Sequence, residues 1–233
     1  MRLDKFFSEQ KILSRKEVGE KLKRGLITVN GQVVKKGDIK IDEYKDQIAL
    51  EGQLITYKKY TYILVNKPQG YVCSTDDPRD MIVTELLPPE LQKLDLFPCG
   101  RLDKDTTGLV ILTNDGISSH RNLSPKHHVA KKYAFETADP YSDKDIQAIE
   151  AGITLADGYT TKPCEIERLN QTTGYITLTE GKYHEIKRLF GARGNKIVGL
   201  NRVSFSEIVL GDLPLGQWRE LTPSELEVFT REQ

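Results

Sequence analysis

Residues 98–116 read PCGRLDKDTTGLVILTNDG. A polar loop carries two aspartates, Asp103 and Asp105, with Arg101 and Lys104 beside them. It runs directly into an apolar block, residues 108–113, and stops at Asn114-Asp115-Gly116. A short apolar run bounded by turn-forming residues reads as a buried strand ended by a turn. A carboxylate at the entrance of such a strand gains a rigid support. It also faces desolvation, so it needs a counter-charge.

The pattern on either side of this strand sets the fold class. YTYILVNKP before it, and KKYAFETA, CEIERL and GYITLTE after it, have the alternation of sheet strands. KDIQAIEAGI and YHEIKRLFGARG have helical spacing. Strands and helices mix without strict βαβ alternation. The expected fold is therefore α+β, a mixed, largely antiparallel sheet flanked by helices.

The N-terminal segment reads differently. Leu3, Phe6 and Phe7 share one helical face. Ser14, with Glu17 three residues on, forms a capping box before a second helix carrying Val18 and Leu22 and stopping at Gly25. LITVNGQVVKKGDIKI then alternates around Asn30-Gly31, a hairpin signal, and QIAL completes the unit. This gives a small ααβ module over residues 1–57 and a larger domain over 58–233.

Charge separates the two parts further. The 233-residue chain has zero formal net charge. Residues 1–40, however, hold eleven Lys and Arg against five acids, a local charge of +6. Residues 121–133 hold four bases and no acid. Either run alone reads as a solvated face; together they point to a polyanionic partner. Three scattered cysteines, no apolar run of the ~18 residues that span a membrane and no apolar signal core suggest a cytoplasmic protein. Walker, GxGxxG and GxSxG patterns are absent, and His120, His127, His128 and His184 lack metal-ligand spacing, which leaves them ordinary polar or phosphate-contacting roles.

Two resemblances follow from these motifs. The leading RLDKF, the central SR and the closing VNG resemble the S-four RNA-binding module, first known from a small-subunit ribosomal protein. GRLDKDTTGLVILTNDG, NKPQGYVCS, KKY and EGKYHEIKRLF, in this order, resemble the pseudouridine synthases that pair such a module with a catalytic domain. The module implies an RNA-binding surface, with Arg2, Lys5, Arg15, Lys16, Lys23 and Arg24 as candidates.

The second resemblance implies isomerisation of a uridine to its C-glycoside, with no cofactor and no metal. The family's aspartate falls on Asp103, and its cationic partner on Lys187, where many relatives have arginine. Tyr133 matches the tyrosine that packs on the base and is proposed to handle the C5 proton; its plainer reading is a core strand residue. Arg101 matches a residue thought to fill the space a flipped base leaves; its plainer reading is a phosphate contact. Asp105 reads as a turn or cap acceptor.

NKPQGYVCSTDDP and SPKHHVAKKY look most like the branch that modifies uridine 516 of bacterial 16S rRNA. The implied partner is ribosomal RNA or a small-subunit assembly intermediate, met by a monomer away from any membrane. A large-subunit 23S rRNA target, or a non-catalytic assembly factor, are the alternatives.

Overall fold

The computed structural model describes residues 1–232. The chain forms two compact units that divide between Tyr60 and Thr61. No helix among the described residues is long and apolar enough to cross a membrane.

The first unit contains α1 (Leu3–Glu9) and α2 (Arg15–Lys23) over a four-stranded antiparallel sheet. Its strands β1 (Ile27–Val29), β2 (Gln32–Val33), β3 (Ile48–Leu50) and β4 (Gln53–Ile55) lie in the order β2-β1-β3-β4. Leu3, Phe6 and Phe7 are fully buried. Burial of each stabilises by about 1.5–3 kcal/mol. The Ser14–Glu17 capping box forms in both directions. Asn30 (φ 52°) and Gly31 (φ 77°) make the expected hairpin turn, because both central positions of a tight primed turn require positive φ. Glu51 and Gly52 repeat this geometry between β3 and β4.

The second unit is built on a mixed sheet. Its strands are β5 (Tyr62–Lys67), β6 (Phe97–Cys99), β7 (Thr107–Thr113), β8 (Lys131–Thr137), β9 (Glu165–Arg168), β10 (Thr173–Leu178), β11 (Ile197–Phe205), β12 (Ile208–Val209) and β13 (Trp218–Glu220). The main path is β13-β5-β7-β11-β8-β10-β9, with β12 on β11 and β6 on β7. Among the described strands of this sheet, only β7 and β11 pair in parallel. Helices α3 (Pro89–Gln92), α4 (Gly116–Leu123), α5 (Asp143–Ala151), α6 (Glu185–Gly191) and α7 (Pro223–Thr230), with a short 3-10 helix Val83–Leu86, complete the unit.

The opening stretch supplies the central strand. β7 pairs with β5 along one edge and with β6 and β11 along the other. Its alternation divides between two cores: Val110 and Leu112 pack into one, Leu109 and Ile111 into the other. Gly108 (φ 106°) lets β11 approach, since a Cβ there would lie 2.3 Å from the Arg202 carbonyl oxygen. The loop bearing Asp103 is thereby fixed to the most buried part of the sheet.

One expectation needs correction, and two elements were not anticipated. Asn114-Asp115-Gly116 does not end the strand in a simple turn. Asp115 is buried and caps α4, its carboxylate accepting the N–H groups of Ile117 and Ser118 at 3.1 and 3.2 Å. β11, the longest strand described, was not read from the sequence. Polar Asn201 and Arg202 interrupt its pattern, and its pairing with β8 contains two register shifts. Helix α7, capped by Thr222 and Glu225, was also not anticipated.

Candidate active site

Asp103 lies in the β6–β7 loop and lines a pocket of about 90 Å³ with Arg101, Tyr133, His184, Glu185 and Lys187. The loop is pinned from beneath. Fully buried Lys67, at the end of β5, donates to the carbonyls of Pro68, Tyr71 and Lys104. Burial pulls its pKa below the ordinary lysine value. The Leu102 N–H donates to Cys73 Sγ at 3.3 Å, and the Thr106 N–H to the Asp103 carbonyl at 3.0 Å. These contacts fix the backbone around Asp103 before any ligand arrives.

The expected cation is in place. Lys187, in the first turn of α6, sits with Nζ 3.0 Å from Asp103 Oδ2. The same ammonium donates to Asp105 Oδ1 at 2.6 Å. Burial pulls Lys187 down, but the two carboxylates outweigh it and hold its pKa above the ordinary value. Asp105 is held below the usual carboxylate range, first by this hydrogen bond. Asp105 is therefore no simple turn acceptor but the second carboxylate on Lys187. Its side chain remains 69% exposed, against 27% for Asp103.

Tyr133 projects from β8 into the same pocket and also rests on two apolar clusters, so it is a packing residue at the site's wall. Arg101 stands exposed at the mouth, with no ion pair among the described residues. Asp103, Tyr133, Lys187 and Arg101 thus meet. Arg2, Lys5, Arg15, Lys16, Lys23 and Arg24 lie exposed on the first unit, where Arg2 pairs with Asp4 and Lys5 with Glu9.

Two neighbours of the Asp103–Lys187 pair were missed. His184 Nε2 lies 3.4 Å from Asp103 Oδ1, and its ring stacks on exposed Tyr183. Its position three residues before Lys187, at the N-cap of α6, was the available signal. Buried Glu185 faces Glu180 and accepts the Lys182 N–H at 2.7 Å. Burial, then Glu180, pushes it up to about 8. Glu185 is accordingly protonated at neutral pH and adds no negative charge beside Asp103.

The chain as a whole is similar to known proteins. The family model described as RNA pseudouridylate synthase matches residues 61–192. A Bacillus subtilis protein called an uncharacterized RNA pseudouridine synthase is 40% identical, over the full length of both chains. The ribosomal small subunit pseudouridine synthase A of Haemophilus influenzae is 41% identical, covering 99% of this chain and all of the relative. Its Escherichia coli K12 counterpart is 39% identical, covering 97% and 98%. A crystal structure of a pseudouridylate synthase superposes with a TM-score of 0.69 at 41% identity, covering 98% of this chain and 99% of the other.

Proposed function

From the premise that the chain belongs to the RNA pseudouridylate synthase family, we propose that it converts one uridine of small-subunit ribosomal RNA, uridine 516, to pseudouridine. The observation that carries the mechanism is the Asp103–Lys187 pair, 3.0 Å apart in a pocket walled by Tyr133. The C1′–N1 bond breaks, the base turns, and a C1′–C5 bond forms. The proton leaves C5 and N1 ends protonated, so nothing is oxidised or hydrolysed. The Asp103 carboxylate acts at the sugar, as nucleophile or as base. Lys187 orients that carboxylate and offsets its charge. Tyr133 packs on the base and handles the C5 proton.

Extruding a uridine from folded RNA costs a few kcal/mol. Arg101, unpaired at the mouth, takes the vacated place in the stack. The first unit docks the RNA through its exposed bases, and its local charge of +6 supports this. The small-subunit target is supported by full-length relatives that carry that name. An rRNA target places the protein in the cytoplasm, on ribosomal RNA or an assembling small subunit.

The test is to map pseudouridine in ribosomal RNA from cells lacking the gene. Loss of the mark at small-subunit position 516, with the large subunit unchanged, is expected. Loss at a large-subunit site instead would overturn the target, and an unchanged map would overturn the activity.

A further inference from the structure

A second cavity, of about 240 Å³, adjoins the catalytic pocket and shares Arg101, Tyr133, Glu180 and Lys182 with it. Its floor is a surface of the sheet. Lys131 and Tyr133 are two residues apart on β8 and so face the same side. Arg202 on β11 is the cross-strand partner of Tyr133 and lines the cavity with them.

The charges there do not balance. Arg202 is 1% exposed; its guanidinium lies over the Phe205 ring and its Nε donates to the Leu109 carbonyl at 2.7 Å, but its Nη2 has no hydrogen-bond partner among the described residues. Lys131 donates to the Val129 carbonyl at 2.9 Å and has no ion pair among the described residues. Burial, then the Arg202 charge, lowers its pKa to about 8. The other groups acting on Lys131 are Cys99, a buried thiol pushed up by burial, and Glu185, which is protonated at neutral pH. The carboxylate on the cavity wall, Glu180, already accepts from the Tyr159 hydroxyl and, at 2.7 Å, from the Lys162 N–H. Buried charges in folded proteins are paired. Buried Arg202 and half-buried Lys131, neither in an ion pair among the described residues, together mark the place of an anion.

We propose that this cavity seats one phosphate group, a phosphodiester flanking the target uridine, between Arg202 Nη2 and Lys131 Nζ. The inference rests on the reading of the chain as an RNA pseudouridine synthase. Tyr133 forms a wall of both cavities, so a nucleotide with its base against Tyr133 carries its own phosphate toward the second. This favours the RNA strand over a free phosphate. The seat holds the nucleotide's backbone while the base is detached and turned.

Two arms test it. In the first, inorganic phosphate is titrated against the full chain and the melting temperature followed. The wild type should be stabilised, less so above pH 8 as Lys131 loses its proton, while Lys131→Met and Arg202→Gln should not respond. Lys131→Met keeps the stem's packing, so the arm stands even if Arg202→Gln fails to fold.

In the second, binding is measured to synthetic small-subunit rRNA fragments with a single neutral methylphosphonate linkage at successive positions. Lys131→Met should weaken binding of the unmodified RNA about tenfold. It should cost nothing further on the one RNA whose neutral linkage adjoins the target uridine. Stabilisation by phosphate with no position-specific effect would make the ligand a free phosphate and overturn the RNA assignment. No response in either arm would overturn the site. Pseudouridine formation by the wild type on the unmodified RNA is scored separately, and its failure counts against the proposed function.

Discussion

All but one (Lys21) of the lysines and arginines of the first unit are exposed, whereas the second unit buries Lys67, Glu185 and Arg202. Exposed charges contribute about 0–1 kcal/mol each to a fold and are weakened by salt. Arg15, Lys16, Lys23 and Arg24 therefore do little for the first unit's stability and remain available to phosphates. Buried charges behave in the opposite way. Lys67 holds three carbonyls beneath the Asp103 loop, and Glu185 stays neutral beside it. Under the proposed function, the first unit uses charge for affinity and the second for geometry. The same residue types do different work because their surroundings differ in dielectric.

This contrast can be broken at several points. After Asp103 itself, the largest expected effect is at Lys187. Lys187→Met should lower the isomerisation rate about 10²-fold, as for loss of one positioned charge in a catalytic site. RNA affinity should hold. A rate that survives would remove Lys187 from the mechanism.

Glu185 gives the next effect, on stability. The folded chain keeps its proton up to about pH 8, whereas an unfolded glutamate loses it near its ordinary value of 4.5. The stabilisation is fully present below that ordinary value and is lost as pH rises through the folded one. Glu185→Gln is always neutral and lacks this slope. The variant should match the wild type near pH 4.5 and exceed it by about 3–5 kcal/mol at pH 8, read by denaturant titration. Parallel curves at both pH values would show that Glu185 is ionised in the fold.

A smaller effect belongs to the first unit. Arg15→Ala with Lys16→Ala should flatten the slope of log affinity against log salt by about 1 to 2, and leave the rate on saturating RNA unchanged. An unaltered slope would take these two residues out of the RNA surface.

The smallest effect is at Asp105. It shares Lys187 with Asp103 but is largely exposed, so Asp105→Asn should cost no more than about fivefold in rate. A loss as large as that of Lys187→Met would make Asp105 a full partner in the site.

Legibility in the sequence followed locality. The α1 face, the Ser14 capping box, the Asn30-Gly31 turn and the buried strand β7 are set by neighbours within a few residues, and all could be read. β11 could not, because Gly199, Asn201 and Arg202 break its alternation and its place depends on Gly108 in another strand. Asp115 looked like a turn residue because an N-cap and a turn draw on the same side chains. The Asp105–Lys187 contact spans 82 positions and has no local trace. Asp103, Tyr133, Lys187 and Arg101 were found through motif resemblance; their shared pocket could only be seen once the sheet was built.

The central claim is that Asp103 carries the chemistry, and one substitution tests it most directly. Asp103→Asn preserves shape and hydrogen-bonding capacity and removes the charge and the reactive oxygen. Tritium release from C5-labelled uridine in substrate RNA should fall by at least about 10³-fold, with RNA binding unchanged in a parallel assay. An Asp103→Asn protein that releases tritium at close to the wild-type rate would contradict the account.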